Sequence, residues 1–118
     1  GTPSYEEILI YAMKKNSVRY IIALLSLFRK IKNWSLLYKL AKKENLVLPV
    51  IALYEVSRKV ISKVRKIPKR FLNYAKKQKG KNFIYIIKPI SSRDFKDIEK
   101  KWKVYIPLNL ADLEDYRK

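Results

Sequence analysis

Apolar residues return at every third or fourth position over much of this chain, and that rhythm divides it into short helical segments. Ser4 followed by Glu7 makes a capping box, hydroxyl and carboxylate each accepting an exposed amide, ahead of Ile8, Leu9, Tyr11, Ala12 and Met13; it predicts a helix over 5–15. After Asn16 and Ser17, Ile21, Leu24, Leu25 and Phe28 predict a second helix to about Ile31, expected to be the central one. Asn33 caps a third over 34–44, which buries Trp34, Leu37, Tyr38 and Ala41, turns Lys39, Lys42 and Lys43 outward and ends at Asn45. Pro49 suits the first turn of a longer helix reaching Lys66, along which Leu53, Val56, Val60, Val64 and Ile67 keep helical spacing. Pro68 breaks it and starts another over 69–79, with Gly80 as a left-handed stop.

From Phe83 the pattern changes. Residues 83–87 are all β-branched or aromatic and read as a strand ended by Lys88 and Pro89, with a second over 104–106 before Pro107. Between them Ser91 and Asp94 offer a capping box for a helix over 92–102 with Phe95, Ile98 and Trp102 on one stripe. Asn109 with Asp112 begins a final acidic helix to about Tyr116. The expected fold is a mainly α bundle of five to seven helices with a small two-stranded β element near the C-terminus, one domain over 1–118. The opening Gly1, Thr2, Pro3, without methionine, is what a cloning remnant or a piece of a larger protein would give.

Charge changes the picture more than any motif. The 118 residues carry a formal +18, and from Val56 to Arg93 there is no acidic side chain, while 13 of the 28 lysines and arginines fall there. Charge-rich surfaces ordinarily interleave both signs. One-sided charge of this density calls for an external polyanion, with phosphate oxygens of DNA or RNA as the expected partner. The dense part is Arg58, Lys59, Lys63, Arg65, Lys66, Lys69, Arg70, Lys76, Lys77, Lys79 and Lys81, eleven cations in 24 residues. On a continuous helix Lys59, Lys63 and Lys66 share one side, and the break at Pro68 lets the next helix extend that surface along a phosphate backbone. The bland alternative is a solvated surface of a heat-adapted protein; abundant Lys, Ile and Tyr with one Gln point to a heat-loving archaeal or bacterial source.

Other constellations give less. Phe71, Tyr74, Phe83 and Tyr85 lie among the cations, as rings that stack on bases do, although Phe71 and Tyr74, three apart, also have the spacing of a helix docking on its core. Residues 39–66 have a helix-turn-helix outline around Ala41, Asn45, Leu46 and Ile51, but the second helix would begin Val47, Leu48, Pro49, Val50, without polar groups for base edges. Asp94 and Asp97, one turn apart, are the nearest approach to a magnesium pair and equally fit first-turn helix acids. Histidine and cysteine are absent, which excludes disulfides, Cys/His zinc sites, thiol nucleophiles and imidazole bases. No phosphate loop, dinucleotide fingerprint or nucleophile elbow is present, so neither enzyme chemistry nor a cofactor is expected. The longest apolar stretch, 21–28, is too short to span a bilayer, and a cytoplasmic location is expected.

Ser17, Arg19, Tyr20 and Ile21, then Trp34, Leu37, Leu40, Ala41 and Lys42, then Leu53 and Tyr54, follow an order of features that resembles small archaeal helical proteins, some of them similar to abortive-infection-type antitoxins. That resemblance covers about a third of the chain and implies a cytoplasmic regulatory or defence role. The residues themselves point to a non-catalytic nucleic-acid-binding protein or accessory domain gripping phosphates through the surface of 58–81. The alternatives are a protein-interaction module, antitoxin or assembly subunit, whose basic face meets an acidic partner, and attachment to an anionic membrane surface.

Overall fold

The computed structural model describes residues 1–116, and they form the expected mainly helical architecture with a small two-stranded sheet. The helices are α1 (Tyr5–Met13), α2 (Val18–Leu27), α3 (Trp34–Lys43), α4 (Val47–Val60), α5 (Lys69–Lys76) and α6 (Lys96–Trp102); the strands are β1 (Ile84–Tyr85) and β2 (Val104–Tyr105). Short 3-10 segments follow α2 at Phe28–Lys30 and close the described chain at Leu110–Tyr116. The radius of gyration is 13.1 Å, against roughly 13.5 Å for a compact chain of this length.

Local signals set most helix ends. The Ser4 hydroxyl accepts the Glu7 amide at 3.1 Å and the Glu7 carboxylate accepts the Ser4 amide at 3.0 Å, the capping box that opens α1. Those two Ser4 donors, amide first and hydroxyl second, hold the Glu7 carboxyl below its ordinary pKa. The Asn33 side chain accepts the Leu36 amide at 2.9 Å to open α3. At the other end Asn45 takes the left-handed conformation at φ 62°. The Leu46 amide then reaches the Ala41 carbonyl at 2.7 Å and the Asn45 amide the Lys42 carbonyl at 3.2 Å, a Schellman closure.

The central helix is α4, which corrects the expectation that residues 21–28 would be the hub. Every residue from Val47 to Tyr54 is buried, and α4 packs on α2, α3, α5, α6 and β2. A helix apolar on all sides belongs inside, whereas α2 buries Ile21, Leu24 and Leu25 and leaves Arg19, Tyr20 and Ala23 to solvent. The helix-turn-helix outline meets the same obstacle, since the first turn of α4 is core and unavailable to a groove.

β1 and β2 run parallel, Ile84 opposite Val104 and Tyr85 opposite Tyr105, with α6 as the crossover that parallel pairing requires. Each strand is shorter than expected from its apolar run. The helix expected over 92–102 starts later, at Lys96, with Phe95 in the N-cap position and no side-chain cap; in the turn before it the Ser92 hydroxyl, rather than that of Ser91, accepts the Asp94 and Phe95 amides at 3.2 and 3.1 Å. Asn109 Oδ1 accepts the Arg93 amide at 2.8 Å, so side-chain acceptors hold residues 92–95 in a turn. Phe95, Ile98 and Trp102 form the expected buried stripe.

Among the described residues two carboxylates are buried, Glu6 and Glu99, and each binds main chain. Glu6 accepts the amides of Lys32 and Asn33 at 3.1 and 3.0 Å, tying α1 to the start of α3. Glu99 accepts the amides of Ser92 and Ile106 at 2.9 and 2.8 Å, tying both ends of the α6 unit together. Among the described residues no helix is long and apolar enough to cross a membrane.

Candidate functional site

The helix expected to reach Lys66 ends at Val60, and the reason lies in where its backbone goes next. Ile61 is extended at φ −111°, ψ 130°, and Lys63 is left-handed at φ 64°. Ile61, Val64 and Ile67 are buried at every third position. The Ile67 amide donates to the buried Tyr54 hydroxyl at 2.7 Å, and the Arg58 guanidinium donates to the Val64 carbonyl. Neutral and cationic groups of α4 therefore satisfy this loop, so no carboxylate is needed beneath it. The inward anchors leave Lys63, Arg65 and Lys66 exposed.

Lys59, Lys63 and Lys66 accordingly do not share a helix face. Lys59 is paired with Asp97 at 2.7 Å, and that ammonium holds the Asp97 carboxyl below its ordinary pKa. Arg58, Lys59 and Lys66 line one open cleft of about 290 Å³ with Tyr54, Glu55, Ile67 and Leu72. Glu55 is neutralised there: it pairs with Lys101 at 2.9 Å and accepts the Trp102 indole N–H.

α5 continues the basic surface. It buries Phe71 and Ala75 and exposes Lys69, Arg70 and Lys76, with the Arg70 guanidinium 4.7 Å from the Phe71 ring centroid. The helix stops at Lys76, three residues before the expected end. Gly80 does not supply a left-handed stop; the Gln78 amide reaches the Ala75 carbonyl at 2.9 Å and closes the last turn as a tighter one. Beyond it the Lys79 ammonium donates to the Lys101 carbonyl at 2.8 Å, and the Gly80 and Lys81 carbonyls accept from Lys103. The eleven cations thus form groups: a cleft set, an outward loop and α5 set, and a set at the α6 end.

The aromatic pair on α5 separates. Phe71 is 4% exposed and Tyr74 43%. Tyr74 stands 5.6 Å from Tyr38 of α3, and Phe71 lies 5.9 Å from both rings. Between α3 and α5 opens a groove of about 310 Å³ lined by Tyr38, Lys42, Tyr74, Lys77 and Gln78. Burial raises the pKa of the Tyr38 hydroxyl, keeping it neutral. Tyr38, Lys42 and Gln78 are the members of this groove that the basic run alone does not indicate. The faint signal for them is that Lys42 lies one turn beyond Tyr38 on α3 and the chain's one glutamine follows Lys77.

On the sheet, Tyr85 is 37% exposed and lies tilted against Tyr105 at 4.5 Å, and Phe83 stacks on the same ring at 4.9 Å. Asp94 and Asp97 serve separate partners, the Leu110 amide at 2.8 Å and Lys59, and do not converge. Among the described residues the ion pairs are Lys14–Glu44, Lys59–Asp97 and Lys101–Glu55, while Glu6, Glu7, Asp94, Glu99 and Asp112 accept backbone amides. Comparison with family models, curated proteins and solved structures returned no match for this chain.

Proposed function

We propose that this protein binds nucleic acid without catalysis, gripping backbone phosphates through Lys63, Arg65 and Lys66 on the 61–68 loop, Lys69, Arg70 and Lys76 along α5, and Lys77 at its C-terminal cap. One observation carries the reading: Glu6, Glu7, Glu44, Glu55, Asp94, Asp97, Glu99 and Asp112 are engaged with backbone amides or with lysines elsewhere, and none of the loop or α5 cations has a carboxylate partner among the described residues. Unneutralised cations held on an ordered backbone suit an extended row of phosphates, where affinity comes from released counterions. The guanidinium of Arg65 adds a planar fork for two phosphate oxygens, and the lysines act as point charges.

Fluorescence anisotropy with labelled single-stranded DNA, duplex DNA and duplex RNA, each titrated with salt, tests this. Contact with about five phosphates gives a log-log salt slope near −4. The triple variant Lys63→Glu, Arg65→Glu, Lys66→Glu, with its circular dichroism unchanged, should lose binding. No binding at low salt would overturn the proposal and favour an acidic protein partner; undiminished binding by the folded triple variant would move the interface elsewhere.

A further inference from the structure

We infer that the groove between α3 and α5 holds an unpaired nucleobase, which makes single-stranded nucleic acid the ligand class; this rests on the phosphate-binding reading above. The groove's walls are of the right kinds. Tyr74 offers a partly exposed ring whose orientation is fixed by two others, Tyr38 at 5.6 Å and the buried Phe71 at 5.9 Å in an edge-to-face arrangement. A ring held this way loses little freedom when a base stacks on it. Lys42 comes from α3 and Lys77 from the C-terminal cap of α5, placing ammonium groups beside the rings for the phosphates flanking a base. Gln78, whose amide also meets the Tyr38 hydroxyl, adds a side-chain donor and an acceptor of the kind a base edge complements.

The lining contains no carboxylate, and its volume of about 310 Å³ lies at the lower end of the ~300–1,000 Å³ of small-ligand sites. Within a duplex the base faces are covered by their neighbours, so only an unpaired base reaches such a groove. The groove also lies on α5, continuous with the proposed phosphate surface. The aromatic row on the sheet is a poorer site: its central ring, Tyr105, is flanked by Phe83 and Tyr85, and the nearby Lys103 ammonium is turned to the Gly80 and Lys81 carbonyls.

The test compares two strands of about 12 nucleotides, within the ~4–16 that single-strand binders cover: oligodeoxythymidine and an abasic deoxyribose-phosphate strand of equal charge. With the full chain the thymidine strand should bind about tenfold tighter, the scale of one base stacked on an aromatic ring. Tyr74→Ala should erase that ratio while leaving abasic binding unchanged, and Tyr74→Phe should keep it. Equal affinity of the unmodified protein for both strands overturns the base site and leaves phosphate binding standing. A ratio that survives Tyr74→Ala also overturns it. Failure of both strands to bind at low salt removes the phosphate reading, and this inference with it.

Discussion

 Two stretches, the 61–68 loop and the turns around α6 and β2 within 91–110, face the same problem and solve it with different groups. Each has amides outside the helices that need acceptors. In 91–110 the acceptors are carboxylates and an amide. Glu99 takes the Ser92 and Ile106 amides, Asp94 takes that of Leu110, Asp112 that of Asn109, and Asn109 that of Arg93. In 61–68 the Tyr54 hydroxyl accepts an amide and the Arg58 guanidinium supplies a donor. The first solution fastens backbone with carboxylates, one of which, Glu99, is buried inside the fold. The second leaves an ordered loop with its full positive charge. How a loop is fastened therefore decides where the protein's field emerges.

Removing the fastenings one at a time separates the two regions. The largest effect is expected at Glu99, where Ala would strand two buried amides and cost about 3 kcal/mol, read from urea unfolding. Both amides meet the same oxygen, Oε2, so Glu99→Gln can retain them through its carbonyl and should lose only about 1 kcal/mol. Equal losses for Ala and Gln would mean that the negative charge, and not the acceptor, fastens this region. Tyr54→Phe leaves the Ile67 amide without its acceptor and should cost about 1–2 kcal/mol, with hydrogen exchange rising in 61–68 and unchanged in 91–110. Exchange that rises equally in both would deny that the loop is fastened independently.

The smallest effect belongs to the exposed Lys59–Asp97 pair, where Asp97→Asn should change stability by about 0.5 kcal/mol or less. The Lys59 ammonium depresses the folded pKa of Asp97. Its contribution is therefore complete above the unfolded value of about 3.9 and is lost as pH falls through the lower folded value. Comparing acid unfolding of the parent and Asp97→Asn checks this; a difference that persists at the lowest pH would place the effect in something other than the ion pair.

Much of the fold was legible because helix ends are local. Ser4 with Glu7, Asn33 and Asn45 act within four residues of themselves, and each does what its type and spacing imply. The hub was not legible from periodicity, because regular spacing marks a helix with one wet face and the truly central α4 has lost it over Val47–Tyr54. The end of α4 was hidden for a different reason. Val64 and Ile67 keep the spacing of a helix, yet the same interval of three serves a loop whose Ile61, Val64 and Ile67 all point inward. At the site, the excess of cations is a property of composition and could be read directly. Their grouping could not, because it depends on partners far along the chain, such as Asp97 for Lys59 and the Lys101 carbonyl for Lys79. The meeting of Tyr38 with Tyr74 is likewise a product of how α3 and α5 pack.

Tyr54 does more than accept an amide. Its ring lies 5.3 Å from Trp34 and 6.0 Å from Phe28, both edge-on, while its hydroxyl holds the 61–68 loop. The other tryptophan, Trp102, is buried, donates its indole N–H to Glu55 and has the Lys101 ammonium 5.5 Å from its ring. The molecule thus carries two built-in fluorophores with different neighbours: the emission of Trp34 follows the loop through Tyr54, and that of Trp102 follows the α6 unit. Variants keeping one indole each, Trp34→Phe and Trp102→Phe, turn the protein into its own reporter of which region a ligand disturbs.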